Sequence, residues 1–229
     1  MAKVIQKGNE VVEDHNVIVD KFQQTEIFFL KNRKIVIYAL AALAVLAAGF
    51  VFYKINQGNR NQEAEVELIN PVFAWEEDSL KKALKGDGGS GLLDIADEYG
   101  NTKAGDLAKY YVGVAYMKEG KFDDAIENLK GFSSDDLILQ GKVYALLGDA
   151  YMEQKDLENA IEYYNKAASY KPNEYFTPGY LIKAALAYEL NKDYESAVKA
   201  YDKIIDEYPK ASEAYEAKKY RAKDESLVK

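Results

Sequence analysis

The chain of 229 residues contains no cysteine, which excludes disulfides and thiolate nucleophiles. It contains one histidine, His15, close to the N-terminus. Everything downstream therefore lacks Ser-His-Asp and Cys-His nucleophiles and the usual zinc ligands. Strand signals are missing too: no alternating run of β-branched residues occurs after residue 54. "GDGGSG" at 86–91 matches G-x-G-x-x-G through Gly86, Gly88 and Gly91. A dinucleotide fingerprint needs a strand before it and a βαβ unit around it. A helical pattern precedes this one, so it reads as a loop. Carboxylates are plentiful, but Asp123, Asp124, Glu127, Asp135 and Asp136 fall where a solvated helix face and loop belong. No metal, cofactor or catalytic group is assigned, and a non-enzymatic protein is expected.

Positive charge is also scarce. After residue 54 there are 33 Asp+Glu against 23 Lys+Arg, a net charge of −10. Such a surface repels phosphate backbones and anionic lipid, which argues against nucleic-acid binding and membrane adsorption. What the chain does have is one uninterrupted apolar run, Ile35 to Tyr53, 19 residues without a charge. In a helix it rises about 28 Å, close to the hydrocarbon thickness of a bilayer. Tyr38, Phe50, Phe52 and Tyr53 place aromatic rings toward its two ends. A cleaved signal peptide would be preceded by a short n-region, whereas 34 residues stand before this run. An uncleaved anchor is expected. Lys31, Arg33 and Lys34 outweigh Lys54 and Arg60, which predicts a cytoplasmic N-terminus and an exported remainder.

Residues 1–34 read as a tail with a short amphipathic helix through Ile18, Phe22, Ile27, Phe28 and Phe29. Residues 62–85 read as a helix with Leu68, Val72, Trp75, Leu80 and Leu84 on its apolar side, kinked or divided at Pro71. A further helix is predicted over 91–99. Beyond it the chain repeats. "GVAYMKEGKFDDAIENL" from Gly113, "GDAYMEQKDLENAIEYY" from Gly148 and "ALAYELNKDYESAVKAY" from Ala185 align at steps of 35 and 37 residues. Equivalent positions hold Tyr116, Tyr151 and Tyr188, then Ala125, Ala160 and Ala197, then Leu129, Tyr164 and Tyr201. Each unit is two antiparallel helices in which small residues permit close approach and large ones fill the wedge between them. Stacked units bury the faces that one pair cannot.

These residue types at these offsets resemble the tetratricopeptide repeat, a helix–turn–helix of about 34 residues. The expected fold class is all-α: one N-terminal transmembrane helix followed by a tetratricopeptide-repeat α-solenoid. The expected organisation is a tail (1–34), a span (35–53), a juxtamembrane helix with a degenerate leading repeat (54–105), three repeats (106–210, in units 106–140, 141–177 and 178–210) and a capping helix with the C-terminus (211–229). By repeat phase the first helices line a groove through Leu107, Tyr110, Val114 and Met117, then Lys142, Ala145, Asp149 and Met152, then Ile182, Leu186 and Glu189. That lining is mostly apolar, and it lacks the basic clamp some tetratricopeptide domains use for a C-terminal carboxylate, keeping only Lys142 and Lys183. Tyr110, Tyr170, Tyr175 and Tyr180 are not accounted for by the repeat core and are candidate protein-binding anchors. In the span, Ala41, Ala44 and Ala48 share a face that permits close helix packing in lipid.

A short N-terminal segment, one span and an acidic repeat domain together resemble the YfgM-like membrane proteins of bacteria. "LLDIADEYGNTKAGDLAKYYVGVAYMKEGKFDDAI", 92–126, looks like the versions found in Bacteroidetes. The resemblance implies a non-enzymatic ancillary factor of the Sec translocon in the inner membrane. Its implied partners are the translocon channel subunits and a membrane-anchored periplasmic chaperone of the peptidyl-prolyl isomerase type. It brings no catalytic residues and no cofactor. A scaffold subunit of another cell-envelope assembly machine is the alternative.

Overall fold

The computed structural model describes residues 30–228. His15 and the amphipathic segment expected in the tail lie outside the described residues. Among the described residues there are ten helices and no strand. The chain divides into two compact units, 1–56 and 57–229.

The first unit is occupied by the opening turns of α1, Arg33–Glu76. Every residue from Ile37 to Asn56 is exposed, including Leu40, Leu43, Leu46 and Phe50. Among the described residues this surface stays uncovered, and α1 is long and apolar enough to cross a membrane. Ala41, Ala44 and Ala48 are among the exposed residues.

The second unit begins in the last turns of α1. It continues through α2 (Leu80–Lys85), α3 (Leu92–Glu98), α4 (Lys103–Lys118), α5 (Phe122–Lys130), α6 (Leu139–Glu153), α7 (Leu157–Ser169), α8 (Thr177–Leu190), α9 (Tyr194–Glu207) and α10 (Glu213–Glu225). Successive helices pack on one another from α3 to α10, so the core is a row of local contacts. One turn recurs along it. In α4–α5 the Lys121 N–H donates to the Tyr116 carbonyl and the Gly120 N–H to that of Met117. The same pair is made by Asp156 and Lys155 between α6 and α7, and by Asp193 and Lys192 between α8 and α9. It is the Schellman arrangement, which needs one left-handed residue. Gly120, Lys155 and Lys192 supply it, at φ of 70°, 61° and 61°.

Asp78, at φ 56°, closes the turn between α1 and α2 in the same way, with Ser79 N–H on Ala74 and its own N–H on Trp75. Counting from this residue, Ala83 falls in register with Ala125, Ala160 and Ala197, and all four are fully buried. Pro71 falls in register with Gly113, Gly148 and Ala185. Of the two outcomes expected at Pro71, division does not occur: α1 runs through it to Glu76. The ring stands at a buried position that the repeats fill with small residues, and its missing N–H leaves the Glu67 carbonyl without its helical donor. The second helix of this pair is cut short instead. "GDGGSG" turns so tightly that a Cβ on Gly86 would lie 2.0 Å from the Gly89 carbonyl oxygen, and one on Gly91 would lie 2.3 Å from that of Leu84. The glycines serve a backbone crossing. α3 then restarts the chain, its Asp94 carboxylate accepting from the Gly91 N–H at 2.9 Å.

At the far end α10 lays Ala214 and Ala217 onto α8 and α9. It also buries Asp224, both of whose oxygens lack a hydrogen-bond partner. Glu189 of α8 lies beside it, receiving the Tyr201 hydroxyl at 2.6 Å and the Lys223 ammonium at 2.7 Å. Burial, then the neighbouring Glu189 charge, push the Asp224 carboxyl up from its ordinary value. Burial also lifts Glu189, but Lys223 and Tyr201 outweigh it and hold that carboxylate below its usual range. An acid whose pKa is raised on folding stabilises the fold most below its unfolded value, near 3.9, and loses that contribution as pH rises through the folded value. Asp224→Asn should therefore match the wild type in thermal melts near pH 4 and exceed it increasingly toward pH 8. A constant difference across that range would show that ionisation of Asp224 is irrelevant to the cap.

Candidate partner-binding surface

The first helices of the three repeats are α4, α6 and α8, and the groove positions expected from repeat phase lie on them. The structure divides those positions into three groups. Tyr110 and Ala145 are buried, and here the expectation is corrected. The Tyr110 ring is enclosed by Tyr111 at 5.4 Å, Phe132 at 6.1 Å and the Lys142 ammonium at 5.9 Å. Phe132 follows α5 directly, and it closes the space that phase alone leaves open. Leu107, Val114, Met117, Met152 and Ile182 are half-buried, packed against the core with part of each side chain at the surface. Lys142 and Leu186 are exposed, and Leu190 extends the Leu186 surface by one turn.

The charged positions are occupied by contacts between units. The Lys183 ammonium donates to both oxygens of Asp149, at 2.6 and 2.7 Å, joining α6 to α8. Asp149 also accepts from the Tyr164 hydroxyl at 2.7 Å. Burial, then the Asp149 charge, push the Tyr164 phenol far above its ordinary value, so it stays a donor at any physiological pH. Glu189 and Lys223 join α8 to α10 in the same manner. Lys118 lies 4.5 Å over the Trp75 ring and pairs with Asp78, joining α1 to α4. One lysine thus clasps each of these steps of the solenoid. Lys183, once engaged by Asp149, has no free charge to offer an incoming carboxylate.

Of the other tyrosines, Tyr170 and Tyr180 are half-buried. Tyr170 bonds the Ser134 carbonyl at 3.2 Å and meets Tyr144 edge-on. Tyr175 is 86% exposed, on a loop held by the Asn173 side chain, which accepts from the N–H groups of Tyr175 and Phe176. No group of three or more His, Cys, Asp or Glu arranged to hold a metal occurs among the described residues. Sequence phase missed one surface. Val66, Ile69 and Phe73 of α1 are 68%, 52% and 61% exposed, on the side away from the buried Ala64, Leu68 and Pro71. Their i, i+3, i+7 spacing was the available signal.

Two family models, each described as a tetratricopeptide repeat, match residues 141–174 and 180–211. Among solved structures the chain is similar to the crystal structure of MamA protein, at 21% identity and a TM-score of 0.52, over 71% of this chain and 86% of that one. A search of curated proteins gave no match. The fold is thus an all-α tetratricopeptide-repeat solenoid with one long apolar helix on its N-terminal side. Such repeats mark the chain as a protein–protein interaction adaptor.

Proposed function

We propose that the protein is a non-enzymatic ancillary subunit of the Sec translocon, tethered to the bacterial inner membrane. In this reading residues 35–53 cross the bilayer with Lys31, Arg33 and Lys34 on the cytoplasmic side. The solenoid, including a degenerate leading repeat formed by the end of α1 with α2 and α3, then stands in the periplasm. There it binds a membrane-anchored chaperone of the isomerase type and assists proteins emerging from the channel. Leu107, Val114, Met117, Lys142, Met152, Ile182 and Leu186 are the groove side chains that keep surface to offer, and Ala41, Ala44 and Ala48 are the proposed packing face within the membrane. The observation that carries the reading is the presence in one chain of an apolar run long enough to span a bilayer and, after residue 54, of a repeat region of net charge −10. Protein recognition needs such a scaffold, whereas nucleic acid and anionic lipid are repelled by it.

The test is to isolate the full-length protein from membranes in mild detergent and identify what accompanies it. Channel subunits with an isomerase-type chaperone are expected. Enrichment of a different envelope complex, with both absent, would replace this reading with that of a scaffold for that complex.

A further inference from the structure

A solenoid needs its two ends closed, because a terminal repeat has no neighbour to cover its outer face. At the C-terminal end, α10 presents Glu216, Lys218, Lys219 and Lys223 to water. The leading end is different. The outer side of α1 carries Val66, Ile69 and Phe73, more than half exposed, along two helical turns. Beside them runs an open cleft of about 620 Å³ between α1 and the glycine loop, with Val66, Pro71 and Phe73 on one wall and residues 86–90 on the other. The rim is acidic. Glu63, Glu65, Glu67, Glu76 and Glu77 flank the stripe on α1, and among the described residues none is paired with a lysine or arginine. Lys82 lines the same cleft, where Asp87 at 2.7 Å balances its charge, and Arg60 is engaged elsewhere, by the Glu98 carbonyl and the Tyr99 ring.

We infer that this stripe and cleft dock a basic amphipathic helix of a protein partner. The length fits: side chains at i, i+3 and i+7 meet the apolar face of a helix laid across them, the usual helix-in-groove mode. The charge selects the occupant. A second copy of this chain would bring glutamates against glutamates around a symmetric contact, and an anionic membrane would be repelled as well. A helix with lysines or arginines beside its apolar face satisfies both the stripe and its rim. The inference rests on the reading of the chain as a protein-binding adaptor and names the surface and the chemistry of one partner.

The full-length protein, held in nanodiscs of zwitterionic lipid, is titrated with a synthetic amphipathic helical peptide carrying leucines on one face and lysines on its flanks. A twin with glutamates on the flanks is the control. Binding is expected for the lysine peptide only, weakened by salt, and about tenfold or more weaker for Ile69→Glu and Phe73→Glu. These substitutions add negative charge at exposed sites, so a merely electrostatic attraction would tighten instead. Tighter or unchanged binding overturns the proposal, as does equal binding of the glutamate twin. Ile69→Cys tests the rival occupant in a chain that has no other cysteine: a disulfide-linked dimer under mild oxidation would assign the stripe to a second copy. If native partners co-purify with wild type and with Ile69→Glu alike, the surface is wrong and the adaptor reading stands. If none accompany the wild type, both fall.

Discussion

Truncation of Tyr201 to alanine is expected to cost about 3–5 kcal/mol, enough to unfold the C-terminal pair of helices at moderate temperature. Among the described residues Tyr201 is the largest fully buried side chain. Its ring fills the wedge between α8 and α9 and stacks on Tyr220 of α10 with centroids 6.1 Å apart. Its hydroxyl reaches Glu189, so removal opens a cavity and also strips one donor from a carboxylate beside buried Asp224. Tyr201→Phe separates the two effects. It keeps the ring and should cost about 1.5 kcal/mol, the lower end for one hydrogen bond to a charged group. Chemical denaturation of both variants checks this, and equal losses for the two would mean that the ring's packing carries little of the stability.

Gly148→Ala should destabilise the protein by about 1–3 kcal/mol, although alanine is the better helix former. A Cβ at this position would lie 2.5 Å from two carbons of the Tyr164 ring. That ring is buried and its hydroxyl is held by Asp149, so it cannot swing aside. The contact lies between α6 and α7, which must move apart there for the methyl group to enter. Gly58 of α1 supplies the contrast, for nothing lies within 4 Å of its Cβ position. Gly58→Ala should be neutral or stabilising by about 0.5–1 kcal/mol. Parallel thermal melts distinguish the outcomes. A neutral Gly148→Ala would show that the two helices have slack between them.

The repeat was legible because small and aromatic residues recur at fixed offsets, and those offsets carry the same geometry in all three units. Ala125, Ala160 and Ala197 are fully buried in each. The turn that sets those offsets was not legible. Lysine at 155 and 192 gives no sign of a left-handed residue; the hydrogen bonds of two flanking helices impose it. Pro71 misled for a related reason. Proline often divides a helix, but here it stands inside α1 at a buried position in register with Gly113, Gly148 and Ala185, and the left-handed turn falls at Asp78. Periodicity also states which residues share a face and not which faces are covered. Tyr110 and Met117 share a face, yet Tyr110, with Phe132 against its ring, is buried while Met117 is only half-buried. Asp224 reads as one more charge on a polar helix, and only its position against Glu189 makes it a buried acid.

The most direct measurement of the whole account is the side of the membrane on which the solenoid stands. Tyr215 is 83% exposed on α10, and the chain has no native cysteine. Tyr215→Cys therefore gives one reactive thiol on the folded domain. Spheroplasts with an intact inner membrane are treated with a membrane-impermeant maleimide. Labelling before lysis, with no increase on lysis, is the result expected if residues 35–53 cross the bilayer with the N-terminus inside. Labelling only after lysis would place the repeats in the cytoplasm and contradict a periplasmic adaptor of the translocon.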